Sequence, residues 1–446
     1  MQKYLSLIIL FSLAACGGGS SEPEIVYLPP VYGDDYSEVI TLEGNKEIVN
    51  IIAIDSNNRN VFHSITGGDD EKLFSLTADG KLTFLKTPDY ELPHDADLNN
   101  VYKIDIQAAA ELDITPQSIL IKIEDAIEGR VVDGPLMGAL VFIDNDDNLI
   151  LDVDEKSATT NSEGFFYINK KTVDCVGVCG KKLIALAGVD QQTGRKSNLL
   201  LKAPLDVSKA VQITPLSTLI DVSDNKSLLL ANLELGIDTN ELLALDVWSG
   251  SLEGQVLSQK LMRLNLQLGM ILTSTYDLVS SGSDKTQSEI GSLLVTKLAK
   301  ALSAEKKSIL SKDIINKFLT DVITEIASDI NFDTTFVASL AQSIENINIL
   351  LEEKSLNPTN RASAEILSLS QYSIKNIIEG VLLGSYNLEQ FNDRTSIEKI
   401  FKTSSLMRSL LDTDEDGFAD VIDVNDDNDA LTDLSDAFPL DKDETL

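Results

Sequence analysis

The chain has 446 residues, and at about 150 residues per domain this length predicts about three domains. Hydrophobic residues make up 43% of the sequence, enough to form buried cores, which excludes a chain disordered throughout. The 36 Lys and Arg against 71 Asp and Glu give a net charge of −35, which argues against nucleic acid or an anionic lipid surface as a partner and favours cations. With 2 histidines and 3 cysteines, most histidine-based metal and nucleophile chemistry is excluded as well.

Residues 1–15 have the pattern of an export signal. Lys3 supplies the basic end, and the run from Leu5 to Leu13 supplies a short apolar centre. This run is too short to span a bilayer as a helix, which takes about 20 residues. The segment therefore predicts export from the cytoplasm.

The export signal closes on Leu13-Ala14-Ala15-Cys16, and a run of glycine and serine follows. This motif resembles a bacterial lipoprotein signal, in which cleavage leaves Cys16 as a lipid-bearing N-terminus anchored in the membrane. Because Gly17 rather than aspartate follows the cysteine, the resemblance implies the bacterial outer membrane, at the cell surface or on its periplasmic face. Residues 16–38 would be a flexible tether. The alternative is a plain secretory signal with an incidental cysteine.

Residues 39–126 are predicted to form an all-β sandwich, because short alternating stretches such as Tyr102-Lys-Ile-Asp-Ile106 are separated by Asn, Asp and Gly turns. The stretches Ala53-Ile-Asp55-Ser-Asn57 and Pro88-Asp89-Tyr-Glu91 resemble a cadherin repeat. That resemblance implies calcium ligands at Glu43, Asp55, Asn57, Asp89, Glu91 and Asp125. No second cadherin repeat follows to complete an interdomain site.

Residues 127–212 form a second predicted β segment, with apolar strands such as Ala139-Leu-Val-Phe-Ile143 and Phe165-Phe-Tyr-Ile168. Between these strands, five oxygen-bearing side chains fall at positions 1, 3, 5, 9 and 12 of a calcium loop. They are Asp144, Asp146, Asn148, Asp152 and Glu155. Ile150 would offer a carbonyl at position 7, and Leu149 stands at position 6, where glycine is expected.

The run Gly129-Arg-Val-Val-Asp-Gly134, together with this loop, resembles the Ig-like repeat modules of bacterial surface proteins. Such modules often carry calcium on an Asp-rich turn, which is what the resemblance implies here. A plain Asp/Asn hairpin turn is the alternative.

Cys175 and Cys179 are the two cysteines left if Cys16 carries lipid. In an exported protein a C-x3-C pair is most simply a local disulfide. Zinc would need two more soft ligands, and none is nearby in the sequence.

Residues 213–411 are predicted to be an α-helical domain. Beyond Thr214-Pro215 apolar residues recur at spacings of three and four, as in Leu257, Leu261, Leu264 and Leu268. We interpret these stripes as packing between helices rather than as a lipid-binding face, because the chain is acidic.

The tail, residues 412–446, holds fourteen acidic residues against one lysine. Its oxygen ligands repeat the calcium-loop spacing twice, with Gly417 at the sixth position of the first loop and Ala430 at that of the second. The first set is Asp412, Asp414, Asp416, Asp420 and Asp423, and the second is Asn425, Asp427, Asp429, Asp433 and Asp436. The tail resembles thrombospondin type 3 repeats, which implies irregular loops wrapped around Ca2+. A solvated acidic tail is the alternative.

These features predict a multidomain, calcium-binding surface lipoprotein that acts in calcium-dependent cell adhesion or surface organisation. Its partner would be a protein or a carbohydrate at the cell surface. The alternative is a non-adhesive accessory lipoprotein of an envelope or secretion assembly. We expect no enzymatic activity, since the sequence has neither a Gly-x-Ser-x-Gly nor a His-x-x-x-His motif.

Overall fold

The computed structural model describes residues 27–280, 283–304, 311–326, 333–353, 361–384 and 387. Over these ranges the N-terminal half is built of β-sheets and the C-terminal part of α-helices, as the sequence pattern predicts. Cys16 and the tail 412–446 lie outside the described residues, so the lipid anchor and the tail loops stay predictions. The chain divides into two compact units, Met1–Thr41 with Asn45–Ile123, and Leu42–Gly44 with Glu124–Leu446.

The first unit is a two-sheet β structure. Its strands are β1 Val31–Tyr32, β2 Glu38–Leu42, β3 Glu47–Asn50, β4 Ala53–Ile54, β5 Phe62–Gly67, β6 Phe74–Leu76, β7 Lys81–Phe84, β8 Val101–Ala110 and β9 Asp113–Glu124. One sheet has the order β2-β9-β8-β5 and the other β3-β7-β6, while β1 pairs with β4. The final residues of β2 and β9 fall at the boundary with the second unit.

The core of the first unit lies between these two sheets. Along β8, Tyr102, Ile104 and Ile106 are buried while the residues between them face solvent, so the alternation read from the sequence is confirmed. Tyr102 meets Phe84 of the other sheet, with ring centroids 5.2 Å apart, and Phe84 in turn meets Phe74 at 4.6 Å. Burying a side chain of this size stabilises the fold by about 1.5–3 kcal/mol.

The second unit begins with three small sheets. Its strands are β10 Ala126–Val131, β11 Leu136–Met137, β12 Leu140–Asp144, β13 Ser157–Thr159, β14 Phe165–Asn169, β15 Val178–Leu186, β16 Val189–Asp190, β17 Arg195–Lys196, β18 Leu200–Asp206 and β19 Val211–Ile213. The sheets have the orders β14-β10-β19, β11-β16-β17 and β13-β12-β15-β18. Cys175 and Cys179 form a disulfide just before and within β15, with their Cα atoms 5.7 Å apart.

Helices follow directly after β19. They are α1 Pro215–Val222, α2 Lys226–Asn232, α3 Thr239–Ala244, α4 Val247–Leu252, α5 Val256–Ser280, α6 Gln287–Ala304, α7 Lys312–Ile326, α8 Thr334–Glu353 and α9 Arg361–Leu382. The first helix begins where Thr214 and Ser217 form a reciprocal capping box, with Pro215 in the first turn. Among the described helices, none combines the length and apolarity needed to cross a bilayer.

One hydrophobic core joins the second β segment to the helices. It includes Val131 and Leu201 from strands together with Leu219, Leu268 and Phe318 from helices. Helix α5 contributes buried residues over most of its length, among them the polar Asn265 and Gln267. The strands β10–β19 and the helices that follow them therefore share one core over the described residues.

Candidate metal centre

The acid-rich segment of the second unit is the loop of a β-hairpin. Strands β12 and β13 pair antiparallel on either side of it, and the backbone N–H of Ile143 donates to the carbonyl of Lys156 at 3.0 Å. Asp144 ends β12 and is only 2% exposed, while Glu155 lies just before β13 and is 8% exposed. The hairpin pairing therefore holds the first and last predicted ligands at the base of one loop.

Asp144 organises the start of the loop. Its Oδ1 accepts hydrogen bonds from the backbone N–H groups of Asp147 at 2.7 Å and of Asp146 and Asn148 at 3.3 Å, and its Oδ2 accepts from Leu149 at 3.0 Å. A short carboxylate side chain that accepts from several following N–H groups curls the backbone around itself. The curl turns alternate side chains toward the same side of the loop.

Leu149 takes the backbone conformation that position 6 of a calcium loop requires. Its φ is 64°, in the left-handed region that glycine prefers and that a leucine seldom adopts. The side chain packs against Phe142, Ile184 and Leu200, which form a small apolar cluster under the loop. This packing compensates for the backbone strain, and it explains how the loop forms without the glycine expected from the sequence.

The carboxylate groups of the loop converge. Asp144, Asp146 and Glu155 each offer an oxygen, and these atoms lie within 4.8 Å of one another. The side-chain amide of Asn148 donates to Asp146 at 3.1 Å and to Asp152 at 2.9 Å. The structure thus brings three of the five predicted ligands together, and Asn148 links Asp146 to Asp152 beside them.

This donor set fits a calcium ion. All of its side-chain ligands are hard oxygens, which Ca2+ and Mg2+ prefer and softer transition metals do not. The loop is also open to solvent, since Asp146, Asn148 and Asp152 are exposed, so an ion could enter and keep part of its water shell. Carboxylates this close repel one another, and a divalent cation between them would remove that repulsion.

Two of the ligands predicted for the first unit lie together. Asp89 and Glu91 are exposed in the segment after β7, and each offers a carboxylate oxygen within 4.8 Å of the other. The Oδ1 of Asp89 also accepts the backbone N–H of Leu92 at 2.9 Å. Within this unit the pair supplies two hard oxygens.

Asp55, also in the first unit, is engaged by Arg59. Its carboxylate accepts from Arg59 Nη2 at 2.8 Å and Nε at 3.2 Å, and from the backbone N–H of Asn57 at 3.0 Å. The hydrogen bond from the Arg59 side chain is the main cause that lowers the pKa of Asp55 to about 2. Its oxygens are thus offered to a guanidinium and to backbone N–H groups, and the ligand roles of Asp55 and Asn57 stay predictions.

Glu43 and Asp125 belong to the second unit. Glu43 is 1% exposed, and its Oε1 accepts the backbone N–H of Ala126 at 2.6 Å. Asp125 forms an ion pair with Lys170, with 2.7 Å between Oδ2 and Nζ. Their ligand roles stay predictions, as do those of the ten tail residues, which lie outside the described residues.

A second group of acidic side chains was missed at the sequence level. Asp133, Asp190 and Asp277 line a cavity of about 400 Å³ inside the second unit. Burial is the main cause that raises the pKa values of Asp190 and Asp277, each to about 6. The sequence does hold one indication of a buried acid, because Asp133 directly follows the apolar residues Val131 and Val132.

Comparisons with known proteins give similar solved structures. No protein-family model matches the chain, and no curated protein sequence matches it. The structure of human protocadherin-24 EC1-2 is 12% identical at a TM-score of 0.20, covering 36% of this chain and 86% of that one. The structure of Drosophila N-cadherin EC1-4 is 16% identical at a TM-score of 0.20, covering 36% of this chain and 45% of that one.

Extracellular cadherin domains 3-6 of protocadherin gamma B2 are 15% identical at a TM-score of 0.18. That match covers 40% of this chain and 46% of the other. This chain therefore spans less than half the length of the N-cadherin and gamma B2 structures it matches.

Proposed function

We propose that this chain is a calcium-binding surface lipoprotein of the bacterial outer membrane that acts in calcium-dependent adhesion or surface organisation. The observation that carries the proposal is the convergence of Asp144, Asp146 and Glu155, with Asn148 and Asp152 beside them. These residues would hold the ion, which would neutralise their charges and stiffen the hairpin.

The surface location is supported by the sequence. The motif ending in Cys16 predicts a lipid anchor, and the acidic tail predicts further calcium loops that resemble thrombospondin type 3 repeats. Extracellular calcium modules bind with dissociation constants of about 10⁻⁴–10⁻³ M and fill outside the cell. Sites of this class would be occupied on a cell surface and empty in the cytoplasm.

The adhesive role is supported by the first unit. Its residues resemble a cadherin repeat in sequence, and its two sheets enclose a core in the manner of a β-sandwich. The second β segment resembles Ig-like modules of bacterial surface proteins and carries the calcium loop. We propose a protein or carbohydrate of a neighbouring surface as the partner.

Display of the full chain on bacterial cells tests this function. Cells carrying the wild type should attach or aggregate in calcium and disperse in EDTA, and protease added to intact cells should cut the protein. The variant Cys16→Ser should leave the membrane fraction. A double variant, Asp144→Asn with Glu155→Gln, should weaken attachment, whereas the exposed neighbour Asp154→Asn should not.

Attachment that is unaffected by calcium and by these variants would overturn adhesion. Protection from added protease, with an envelope complex that co-purifies with the chain, would instead support the accessory lipoprotein.

A further inference from the structure

The cavity inside the second unit has the size and the walls of a small-molecule site. Its volume of about 400 Å³ lies within the range of about 300–1,000 Å³ typical of ligand pockets. The walls come from β16, from α5 and from α9, which provide Asp190, Asp277 and Lys375, and from the start of α6, which provides Gln287. None of these residues belongs to the candidate metal centre.

One wall of the cavity carries an unpaired acid. Asp133 is 7% exposed, and among the described residues its Oδ1 has no hydrogen-bond partner. It lies against Gly269 of α5, where an added Cβ would come to 2.1 Å from this Oδ1. By contrast, the oxygens of Asp190 accept from the backbone N–H of Gln192 at 2.8 Å and from Thr193 Oγ1 at 2.7 Å. Burying a carboxylate without a partner costs free energy, and a bound cation or a proton would remove that cost.

Cationic side chains line the same cavity. Within the described part of the chain, neither Arg195 nor Lys375 has a carboxylate oxygen within the 4.0 Å of an ion pair. Arg195 lies over the ring of Tyr372, with its guanidinium carbon 5.7 Å from the centroid. Asp277 accepts instead from the side-chain amide of Asn198 at 3.1 Å.

Two side-chain amide atoms that line the cavity have no hydrogen-bond partner in the described part of the chain, and one is an acceptor while the other is a donor. Among the described residues, Oδ1 of Asn198 is a buried acceptor without a donor, and Nε2 of Gln287 is a buried donor without an acceptor. Over the residues described, the cavity lining thus contains a buried acceptor that lacks a donor, a buried donor that lacks an acceptor, and both acidic and cationic side chains.

We propose that this cavity binds a small zwitterion that carries a protonated amine and a carboxylate, of the size of a free α-amino acid. The amine would donate to Asp133 and to Asn198, and the carboxylate would accept from Arg195 and Gln287. A neutral sugar would leave Arg195 without a carboxylate partner, and a simple anion would supply no donor to the carboxyl of Asp133.

The charge on Asp133 gives the proposal a second readout. Burial, together with the nearby charge of Asp190, raises the pKa of Asp133 well above its ordinary value, so the empty site favours the protonated acid. An ammonium group placed on Asp133 would displace that proton into the buffer. The other titratable groups that line the cavity are Asp190, Asp277, Glu379, Arg195, Lys196, Lys375 and Tyr276.

Isothermal titration of the purified full chain with each natural amino acid tests the proposal. At least one should bind, and the best ligand should lose about 10-fold or more in affinity when its carboxylate is amidated or its amine acetylated. Titration in buffers of different ionisation enthalpy should show proton release on binding.

The variants Asp133→Asn and Arg195→Gln should each bind about 10- to 100-fold more weakly. The exposed Asp224→Asn is the matched control and should bind as the wild type does. Thermal unfolding checks that each variant is folded, and either variant alone suffices if the other does not fold.

Three results would each overturn the proposal. One is the absence of binding with every amino acid. Another is equal binding of the amide and the acetyl derivative. The third is wild-type affinity in a folded Asp133→Asn or Arg195→Gln variant.

Discussion

Asp144 and Glu155 offer carboxylate oxygens within 4.8 Å of one another, although they stand at the first and twelfth positions of their loop. Their proximity is set by backbone pairing, because β12 ends at Asp144 and β13 begins two residues beyond Glu155. The backbone N–H of Asn145 donates to Glu155 Oε1 at 2.6 Å and so closes the loop at its base. The two acids are therefore held in place by the fold before any ion binds.

Substitution of either acid should remove most of the stabilisation by calcium at this loop. At a calcium concentration about 100 times the dissociation constant, one site adds about 2.7 kcal/mol to the free energy of unfolding. Asp144→Asn or Glu155→Gln should remove most of this gain, measured as the difference in Tm of the full chain between calcium and EDTA.

The matched control for these variants is Asp154→Asn. Asp154 lies in the same loop, is exposed, and is outside the converging set. Its variant should keep the calcium response of the wild type. An equal response in all three variants would show that the loop contributes no calcium site.

The buried carboxyl of Asp277 should make stability depend on pH. Burial is the main cause that raises its pKa from the ordinary 3.8 to about 6, so the folded state binds the proton more tightly than the unfolded state. The group therefore does not oppose folding below about pH 4, and its destabilising effect grows between about pH 4 and 6 and is complete above that range.

Asp277→Asn should accordingly raise the free energy of unfolding by about 1–3 kcal/mol near neutral pH and by little near pH 4. The new amide oxygen can still accept from Asn198. Urea unfolding at both pH values measures the difference, and a gain that is the same at both would contradict this explanation.

The ion pair between Arg130 and Asp246 should couple strands to helices in the second unit. Arg130 is buried in β10, with 3.3 Å between its Nη1 and Oδ2 of Asp246, and Asp246 also caps α4 by accepting from the backbone N–H of Ser249. Asp246→Ala would leave a buried guanidinium without its carboxylate and should destabilise this unit by about 3 kcal/mol or more.

Asp238→Ala is the comparison for Asp246→Ala, because Asp238 caps α3 by accepting from the backbone N–H of Glu241 and makes no ion pair among the described residues. Asp238→Ala should lower the free energy of unfolding by about 1 kcal/mol, the usual effect of removing an N-cap side chain. Chemical unfolding followed by circular dichroism measures both. Equal losses of unfolding free energy in the two variants would show that burial of Arg130 does not require the carboxylate of Asp246.

The disulfide between Cys175 and Cys179 should add modest stability. The cysteines are 4 positions apart, and closing so small a loop is expected to contribute about 2 kcal/mol. A reductant, or replacement of both cysteines by serine, should lower the free energy of unfolding by about this amount. Unchanged stability would show that the closed loop does not constrain the unfolded chain.

Much of the fold could be predicted from local pattern. The alternation around Tyr102, Ile104 and Ile106 indicates a strand with one buried face, and the spacing of Leu261, Leu264 and Leu268 indicates a helix. In both cases the periodicity of side chains follows from the backbone geometry, so neighbouring residues carry the information. The loop that starts at Asp144 could be predicted in the same way, because its oxygen-bearing side chains begin at alternate positions.

Features that depend on contacts between distant parts of the chain could not be predicted from the sequence. Arg59 engages Asp55 and also forms an ion pair with Asp113 at 2.6 Å, a contact that no local spacing reveals. The strain at Leu149 is compensated by packing against Phe142, Ile184 and Leu200, which lie in three different strands. The cavity at Asp133 forms only where strands meet the helices α5, α6 and α9.

The most direct test of the central claim is equilibrium calcium binding to the full chain. The measurement compares the wild type with the double variant Asp144→Asn, Glu155→Gln, and uses Asp154→Asn as control. We predict saturable binding at about 10⁻⁴–10⁻³ M calcium, with about one ion fewer per chain in the double variant. Binding of the same number of ions by all three proteins, or no saturable binding by the wild type, would contradict the claim.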